Sequence, residues 1–274
     1  MRKVLLTGAS GFVGRQILRA LGRFDIQVIP VVRPEKAYIL NKQDNIDHVI
    51  YSPDIFKESL TWWAEKCMGV HTLIHCAWYT EPGQYLESPK NIDCLVGSLN
   101  IARGAVEAGV TRFVGIGTCF EYKLSEEILS TDTPLDPESL YAASKAALYI
   151  ALSRWLPKES VEFVWCRLFY LYGEGEDDRR LAPILHNRLA KGEIVELLDG
   201  DFIRDYLDVS VAGNLIAEAA LGEKQGAVNI CSGAPITICE FAQDIAKIYD
   251  RSDLLRFGAS KAEDFNPSHV VGKK

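Results

Sequence analysis

The chain has 274 residues, 48% of them hydrophobic and 24% charged, as in ordinary globular proteins, so it is long enough for one large domain or two small ones. Its net charge of −7 argues against a nucleic-acid partner, which would require a basic face. The first strand-like run begins at Lys3 and leaves no room for a signal peptide, and no apolar run approaches the roughly 20 residues that cross a membrane. The 7 cysteines include no C-x-x-C pair and no metal-ligand spacing, which indicates a reducing, cytoplasmic setting and no metal site.

Strand-like and helix-like segments alternate along the first part of the chain. In order they are the strand KVLLTG, the helix GFVGRQILRALGRF, the strand IQVIPVV (weakened by Pro30), the strand HTLIHCAW, the helix NIDCLVGSLNIARGAVEAG, the strand TRFVGIGT, the helix PESLYAASKAALYIALSRWL and the strand VEFVWCRLFYLYG. Since the strands are nearly continuous apolar runs between helices, the sequence predicts an α/β protein with a doubly wound parallel sheet.

A glycine-rich turn joins the first strand to the first helix. TGASGFVG places glycines at 8, 11 and 14, the pattern of the dinucleotide-binding turn of a Rossmann fold. Gly8 permits the tight turn, Gly11 lets the backbone approach a pyrophosphate, and Gly14 lets the helix pack close to the sheet. The alternative is a glycine-rich turn that binds no ligand.

The chain therefore divides into two expected units. Residues 1–172 form a dinucleotide-binding Rossmann domain. After about residue 173 the pattern is irregular, and we expect residues 173–274 to form mainly a small substrate-binding lobe, with some segments returning to the first domain.

The end of the second strand bears on the choice of cofactor. An acid there would bind the ribose hydroxyl of NAD, but the strand ends VVRP, with Arg33. A guanidinium pairs well with the 2′-phosphate of NADP, and Arg15 would add a second positive charge. The sequence therefore favours NADP (NADPH) over NAD; the alternative is that Arg33 is an ordinary surface arginine.

TGASGFVG, the tyrosine–lysine pair in YAASK and the order of elements resemble the extended branch of the short-chain dehydrogenase/reductase superfamily, the NAD-dependent epimerase/dehydratase family, which acts on nucleotide sugars. SPDI, LIHCAW, the helix that opens at Asn91 and GDFIRDYLDVSVAGNLI agree with it. The resemblance implies that the cofactor is bound by Gly8, Ser10, Gly11, Phe12, Val13, Gly14, Arg33, Asp54, Ile55, Cys76, Ala77, Trp78, Asn91, Tyr141, Lys145 and Phe169. It implies that the substrate is bound by Thr118, Phe120, Tyr141, Tyr170 and Arg204.

The resemblance makes Thr118, Tyr141 and Lys145 the catalytic residues. Tyrosine has an ordinary pKa near 10, and a lysine one helical turn away lies on the same face and favours the phenolate. Tyr141 would exchange a proton with a sugar oxygen while Thr118 hydrogen-bonds the same oxygen. Without the family context, YAASK would equally describe a packed aromatic residue and a solvated lysine.

The residues after Thr118 narrow the expected reaction. Family dehydratases have an Asp-Glu pair there, and epimerase/reductases that act at carbons 3 and 5 have a cysteine two places on; this chain has Cys119 and Phe120. We expect NADPH-dependent reduction of a nucleotide-linked (dTDP- or CDP-linked) 4-keto-6-deoxysugar. A 4-epimerase with tightly bound NAD is the alternative, and a non-catalytic NADP-binding regulatory protein is the alternative from another class.

Departures from the family pattern concern the substrate. Tyr170 stands where the family often has asparagine, and KAEDFNPSHVV lacks the usual second diphosphate-binding arginine. Further candidates to line the substrate pocket, or else ordinary surface or core residues, are Trp78, Tyr79, Arg179, Arg180, His186 and Arg188. The helix around Tyr141 has more apolar surface than one sheet face covers, so we expect a homodimer.

Overall fold

The computed structural model describes residues 1–40, 45–125, 127–197, 200–258 and 267–274. Its helices are α1 (Phe12–Leu21), α2 (Leu60–Lys66), α3 (Lys90–Glu107), α4 (Leu140–Trp155), α5 (Leu181–Lys191), α6 (Val209–Leu221) and α7 (Ile238–Ile248). Its strands are β1 (Arg2–Thr7), β2 (Ile26–Val32), β3 (Ile50–Tyr51), β4 (Thr72–His75), β5 (Arg112–Thr118), β6 (Glu162–Leu168), β7 (Tyr170–Tyr172), β8 (Val195–Glu196), β9 (Ile203–Arg204), β10 (Tyr206–Asp208), β11 (Gly226–Ile230), β12 (Ile236–Thr237), β13 (Leu255–Arg256) and β14 (His269–Val270).

Seven strands form one sheet in the order β11–β6–β5–β4–β1–β2–β3, and every neighbouring pair is parallel. The chain order reverses at β1, which has β2 on one side and β4 on the other. Such a switch point opens a crevice at the carboxyl ends of the strands, where ligands bind in this kind of sheet. The predicted doubly wound α/β fold is confirmed.

Helices cover both faces of the sheet because side chains along each strand alternate between them. On β1, Leu6 packs with α1 and α6, whereas Leu5 packs with α2, α3 and α4. Glycine allows close helix contacts: a side chain at Gly213 of α6 would collide with the backbone of Gln16 on α1. In the described part of the chain, no helix is both long and apolar enough to cross a membrane.

The segment after residue 173 contributes to both expected units. β11 pairs with β6 at the edge of the main sheet, and α6 packs against α1. By contrast, α5 and α7 pack on each other around a separate apolar cluster that includes Leu185 and Phe241. Small sheets of β9, β12 and β14, and of β8 and β13, complete the lobe.

The prediction of one continuous strand over VEFVWCRLFYLYG is wrong. The run breaks at Phe169 into β6, in the main sheet, and β7, which pairs with β10. The Phe169 N–H bonds to the Ile230 carbonyl (3.2 Å), and the Tyr170 N–H bonds to the Asp205 carbonyl (3.2 Å), so the backbone changes partners there. The new partner lies over 30 residues further along the chain, and the uninterrupted apolar pattern gives no sign of it.

Candidate active site

The glycine turn lies against the end of β4. Gly8 has φ +70°, and a side chain there would come within 2.8 Å of the Ala77 amide nitrogen. A Cβ at Gly14 would overlap the Gly8 carbonyl oxygen. A Cβ at Gly11 would meet a single protein atom within 4 Å, the same Gly8 oxygen at 3.2 Å. The turn is therefore closed towards the protein at Gly8 and Gly14 and more open at Gly11.

Helix α1 begins at this turn with its amides uncapped by a side chain. Gly11 is the N-cap residue, and the first turn contains no acid. The first N–H groups of a helix lack partners within it and favour an anion, because they lie at the positive end of the helix dipole. This arrangement fits the pyrophosphate of a dinucleotide, as the glycine spacing predicts. The resemblance adds Ser10, Phe12 and Val13, which lie in the same turn and the start of α1.

The two arginines expected near the cofactor lie in different settings. Arg33 follows β2; its side chain is 57% exposed, and its Nε lies 3.5 Å from Glu35. Arg15 instead donates to the Gly175 carbonyl (3.0 Å) and thereby ties α1 to the loop after β7. Arg33 is the more available of the two for a ligand.

The SPDI turn holds its acid close to the backbone. Asp54 accepts a hydrogen bond from the Phe56 N–H (3.2 Å) and lies 3.4 Å from the Lys57 ammonium. Ile55 beside it is buried.

Thr118 and Tyr141 are brought together at the carboxyl end of β5. Thr118 ends the strand, and its Oγ accepts from the Phe120 N–H (3.3 Å) at the start of a 3-10 turn. Tyr141 lies in the first turn of α4, which Ser139 caps by accepting from the Ala142 N–H (3.2 Å). Both side chains are buried, and Thr118 lies near enough to Tyr141 to affect its pKa.

Burial raises the pKa of Tyr141 well above its usual value, and the nearby Tyr85 and Glu121 act in the same direction. The Thr118 side chain opposes this rise. In this arrangement Tyr141 is therefore a protonated phenol at neutral pH.

Lys145 is buried one helical turn beyond Tyr141. Its ammonium donates to the Ile116 carbonyl (2.6 Å) and lies 3.8 Å from the centre of the Trp78 ring. Burial lowers the pKa of Lys145 to about 8, against an opposing effect of Glu121. The ammonium is therefore held by a carbonyl and an aromatic face, and it remains largely protonated at neutral pH.

Asn91 supports the site through Trp78. The Trp78 indole N–H donates to the Asn91 Oδ1 (2.8 Å), and the Asn91 amide donates to the carbonyls of Tyr85 (2.6 Å) and Ser88 (2.9 Å). The Asn91 side chain thereby fixes the loop before α3, and its contact with a cofactor stays a prediction. Ala77 lies against Gly8 of the glycine turn, and Cys76 precedes it directly after β4.

Phe120, Tyr170 and Arg204 form one cluster beside Thr118. The rings of Phe120 and Tyr170 are 6.1 Å apart, and the Arg204 guanidinium lies 5.1 Å from the Tyr170 ring. Arg204 is almost fully buried and donates to the Ile203 carbonyl (2.9 Å). Phe169, predicted to contact the cofactor, is buried in an apolar cluster with Cys119.

The remaining candidates separate into two pairs. Arg179 bonds to Glu81 (2.7 Å), and Arg180 lies 5.5 Å from the Tyr85 ring, so both reach the loop before α3. In contrast, His186 bonds to the Tyr249 hydroxyl (2.9 Å), and Arg188 donates to the Ile194 carbonyl (3.3 Å); both bonds lie within the lobe.

Glu121 is a site residue that the sequence reasoning missed. Its carboxylate is fully buried directly behind Thr118 and accepts the Thr118 N–H (2.8 Å). The signal was present, since T-x-x-E is the pattern of a capping box, in which the first and fourth residues cap each other. In the described residues, no cluster of His, Cys, Asp or Glu side chains is arranged to hold a metal.

A doubly wound parallel sheet with a glycine turn at the first helix is the architecture of dinucleotide-binding proteins. A sequence model of the NAD dependent epimerase/dehydratase family matches residues 4–231, and the chain belongs to that family. The resemblance to the extended short-chain dehydrogenases/reductases is confirmed.

Three known proteins illustrate the range of this family. The chain is 21% identical, over 99% of both chains, to a dTDP-6-deoxy-L-talose 4-dehydrogenase (NAD(+)) of Aggregatibacter actinomycetemcomitans. Its fold is similar to that of UDP-glucose 4-epimerase from Thermotoga maritima, solved with UDP-glucose (TM-score 0.86, 18% identity, 99% of this chain and 89% of that one). It is also similar to dTDP-glucose 4,6-dehydratase from Streptomyces venezuelae, solved with NAD and TYD (TM-score 0.84, 20% identity, 99% and 88%).

Proposed function

We propose that the protein reduces a nucleotide-linked (dTDP- or CDP-linked) 4-keto-6-deoxysugar to the 4-hydroxy sugar with NADPH. The observation that carries this proposal is the burial of Thr118, Tyr141 and Lys145 together at the carboxyl end of β5, with Lys145 one helical turn beyond Tyr141 and bonded to the Ile116 carbonyl. A dehydratase would need two acids at the positions that Cys119 and Phe120 occupy in this chain. The site therefore has Tyr141 as its single proton donor, and it acts at one carbon of the sugar.

Tyr141 donates the proton to the carbonyl oxygen. A nicotinamide cofactor supplies the hydride when bound. Tyr141 is protonated at neutral pH and so has a proton to donate, as a reduction requires, although its raised pKa makes it a weak acid. Thr118 hydrogen-bonds the same oxygen and stabilises the developing charge. The Lys145 ammonium adds a positive charge on the same helix face.

The glycine turn and Arg33 hold the cofactor in this proposal. The uncapped amides of α1 receive the pyrophosphate, and Gly11 gives them room. Arg33, exposed and weakly paired, binds the 2′-phosphate that distinguishes NADP from NAD. The talose dehydrogenase relative carries NAD+ in its name, which makes NAD the alternative cofactor.

The cluster of Phe120, Tyr170 and Arg204 forms the sugar-nucleotide side of the site. Arg204 pairs with the diphosphate, and residues 173–274 supply most of the substrate lobe. We also infer a homodimer, because α3 and α4 expose the large apolar side chains of Ile92, Val96 and Ile150.

Epimerisation at carbon 4 with a tightly bound NAD is the second candidate. It is favoured by the similarity in fold to a UDP-glucose 4-epimerase. An epimerase recycles its bound cofactor and would show no net consumption of NADPH. A regulatory NADP-binding protein would bind cofactor and turn over no sugar.

The test is an assay of NADPH consumption with a panel of dTDP- and CDP-linked 4-keto-6-deoxysugars. We expect one NADPH oxidised per sugar reduced. Tyr141→Phe should keep cofactor affinity and lose at least about a hundredfold in kcat. Tyr149→Phe, two turns further along the same helix and packed on Phe163, is the matched control and should retain activity. Turnover of sugar without loss of NADPH would favour the epimerase.

A further inference from the structure

Behind Thr118, a fully buried carboxylate joins the strand end to the core. Glu121 accepts hydrogen bonds from the Thr118 N–H (2.8 Å), the Trp165 indole N–H (3.0 Å) and the Arg167 Nε (2.7 Å). The Glu121 and Arg167 side chains are at most 1% exposed. All three groups are donors, which is the environment that an ionised carboxylate requires.

Two glycines of β5 make room for this network. A Cβ at Gly115 would overlap the ring of Trp165, and a Cβ at Gly117 would overlap both the indole nitrogen and a carboxylate oxygen of Glu121. The Trp165 ring therefore lies directly on the strand, and its N–H reaches Glu121. The alternation of glycine in VGIGT is required by this packing.

Stability alone does not account for a buried ion pair at this place. Removing two charges from water costs about as much as their attraction returns, and apolar residues of similar volume often serve as well. The chain contains a useful comparison, because Arg112 and Glu162 join the same two strands at their opposite ends, where the Glu162 side chain is half exposed. The pair whose carboxylate is buried lies at the site, and the pair whose carboxylate is half exposed lies away from it.

Glu121 is connected to the proposed proton donor through a capping box. Its carboxylate fixes the Thr118 N–H, while the Thr118 Oγ accepts from the Phe120 N–H and lies near Tyr141. The backbone of Thr118 is thus fixed by Glu121, and its hydroxyl is fixed by the Phe120 N–H. We propose that Glu121 is a positioning residue for the reduction, which orients the Thr118 hydroxyl towards Tyr141 and stabilises the Lys145 ammonium with its negative charge. This inference rests on the proposed function.

The charge of Glu121 acts on Lys145 with little competition. The other titratable groups that face Lys145 are Cys76, Cys94 and His75. Burial raises the pKa of Cys76 to about 12 and that of Cys94 to about 11, and it lowers the pKa of His75 to about 3. These three groups are therefore uncharged near neutral pH. Burial raises the pKa of Glu121, while Arg167 and the Thr118 and Trp165 N–H groups act in the opposite direction and favour the carboxylate. Tyr141, for its part, is faced by Tyr85, Glu121 and Cys119.

The test compares Glu121→Gln with the double variant Glu121→Gln/Arg167→Met, which leaves no unpaired charge in the core if the single variant folds poorly. Glu162→Gln removes the half-exposed carboxylate that pairs with Arg112 on the same strands and is the matched control. The first readout is the pH profile of kcat with NADPH and the 4-keto sugar. The second is the NMR titration of Lys145 in protein labelled with ε-13C lysine, assigned by the missing signal of Lys145→Arg.

We expect both Glu121 variants to lose roughly tenfold in kcat, a small part of what a positioned proton donor contributes, with the KM for the sugar nearly unchanged. The alkaline limb of the profile and the Lys145 titration should both move to lower pH in Glu121→Gln, because a negative charge has been removed, and by less in the double variant, which also loses the positive charge of Arg167. The control should match the wild type. Unchanged kcat and an unmoved Lys145 titration in the folded double variant would overturn the inference. If the wild type reduces no sugar, the proposed function fails, and the NMR titration still tests the link between Glu121 and Lys145.

Discussion

Replacing Gly11 by alanine separates the binding role of the glycine turn from its role in folding. The new methyl group would meet the Gly8 carbonyl oxygen at 3.2 Å, a contact that a shift of a few tenths of an ångström relieves. Alanine is also a slightly poorer N-cap than glycine. We therefore expect a loss of about 1 kcal/mol in the free energy of unfolding and a fall of about 3 °C in Tm.

Cofactor binding should respond more strongly than stability. The methyl group would stand where the backbone has to approach a pyrophosphate, so NADPH affinity should fall at least about tenfold, or about 1.4 kcal/mol. Gly14→Ala is the contrasting variant, because its methyl group would overlap backbone atoms of Gly8. It should lose about 3 kcal/mol of stability, near the upper end for overpacked positions.

The assay is titration calorimetry with NADPH and with NADH, accompanied by thermal unfolding of each variant. Wild-type affinity for both cofactors in Gly11→Ala would refute the assignment of the pyrophosphate to this turn. An equal loss of Tm in Gly11→Ala and Gly14→Ala would refute the packing argument.

Two further predictions concern cofactor choice and pH. Arg33→Ala should lower the affinity for NADPH at least about tenfold and leave the affinity for NADH nearly unchanged in the same titrations. Arg23→Ala, which replaces another exposed arginine, should change neither affinity. Equal losses of affinity for both cofactors would mean that Arg33 is only a surface charge. Burial lowers the pKa of His75 to about 3. As the pH falls below about 6.5, the His75 imidazole therefore takes up a proton in the unfolded chain but not in the folded one. The free energy of unfolding should fall below that pH by up to about 1.4 kcal/mol per pH unit. Urea unfolding between pH 5 and pH 7 should show this slope, and His75→Gln should flatten it; an unchanged slope would show that other groups cause the acid sensitivity.

Much of the fold follows from local patterns in the sequence. The apolar runs of β1, β4 and β5, buried on both faces, and the helices between them are sufficient to predict the parallel sheet. Pro30 lies inside β2 without breaking it. It stands opposite Leu6 of β1 on one side of the strand. On the other side, β3 is only two residues long and pairs with Val31 and Val32, so in the described part of the chain Pro30 has no partner there to which it would need to donate an N–H. The break at Phe169 was unpredictable, because it depends on pairing with β10.

The site was predictable where one short motif contains it. The glycine turn and YAASK lie in contiguous stretches, so spacing alone relates their residues. Arg15 bonds to Gly175, 160 residues away, and no local pattern indicates that contact. Glu121 stands in a recognisable T-x-x-E pattern, but its importance depends on burial against Trp165 and Arg167, which β6 supplies.

The most direct test of the account follows the hydrogen that reaches the sugar. NADPH deuterated at the transferred position of the nicotinamide would be incubated with the 4-keto-6-deoxysugar that the assay identifies, and the product analysed by NMR and mass spectrometry. The account predicts one deuterium at carbon 4 of the sugar for each NADPH oxidised, and formation of this product at least about a hundredfold more slowly with Tyr141→Phe. A product without deuterium at carbon 4, formed while the labelled NADPH remains intact, would contradict it.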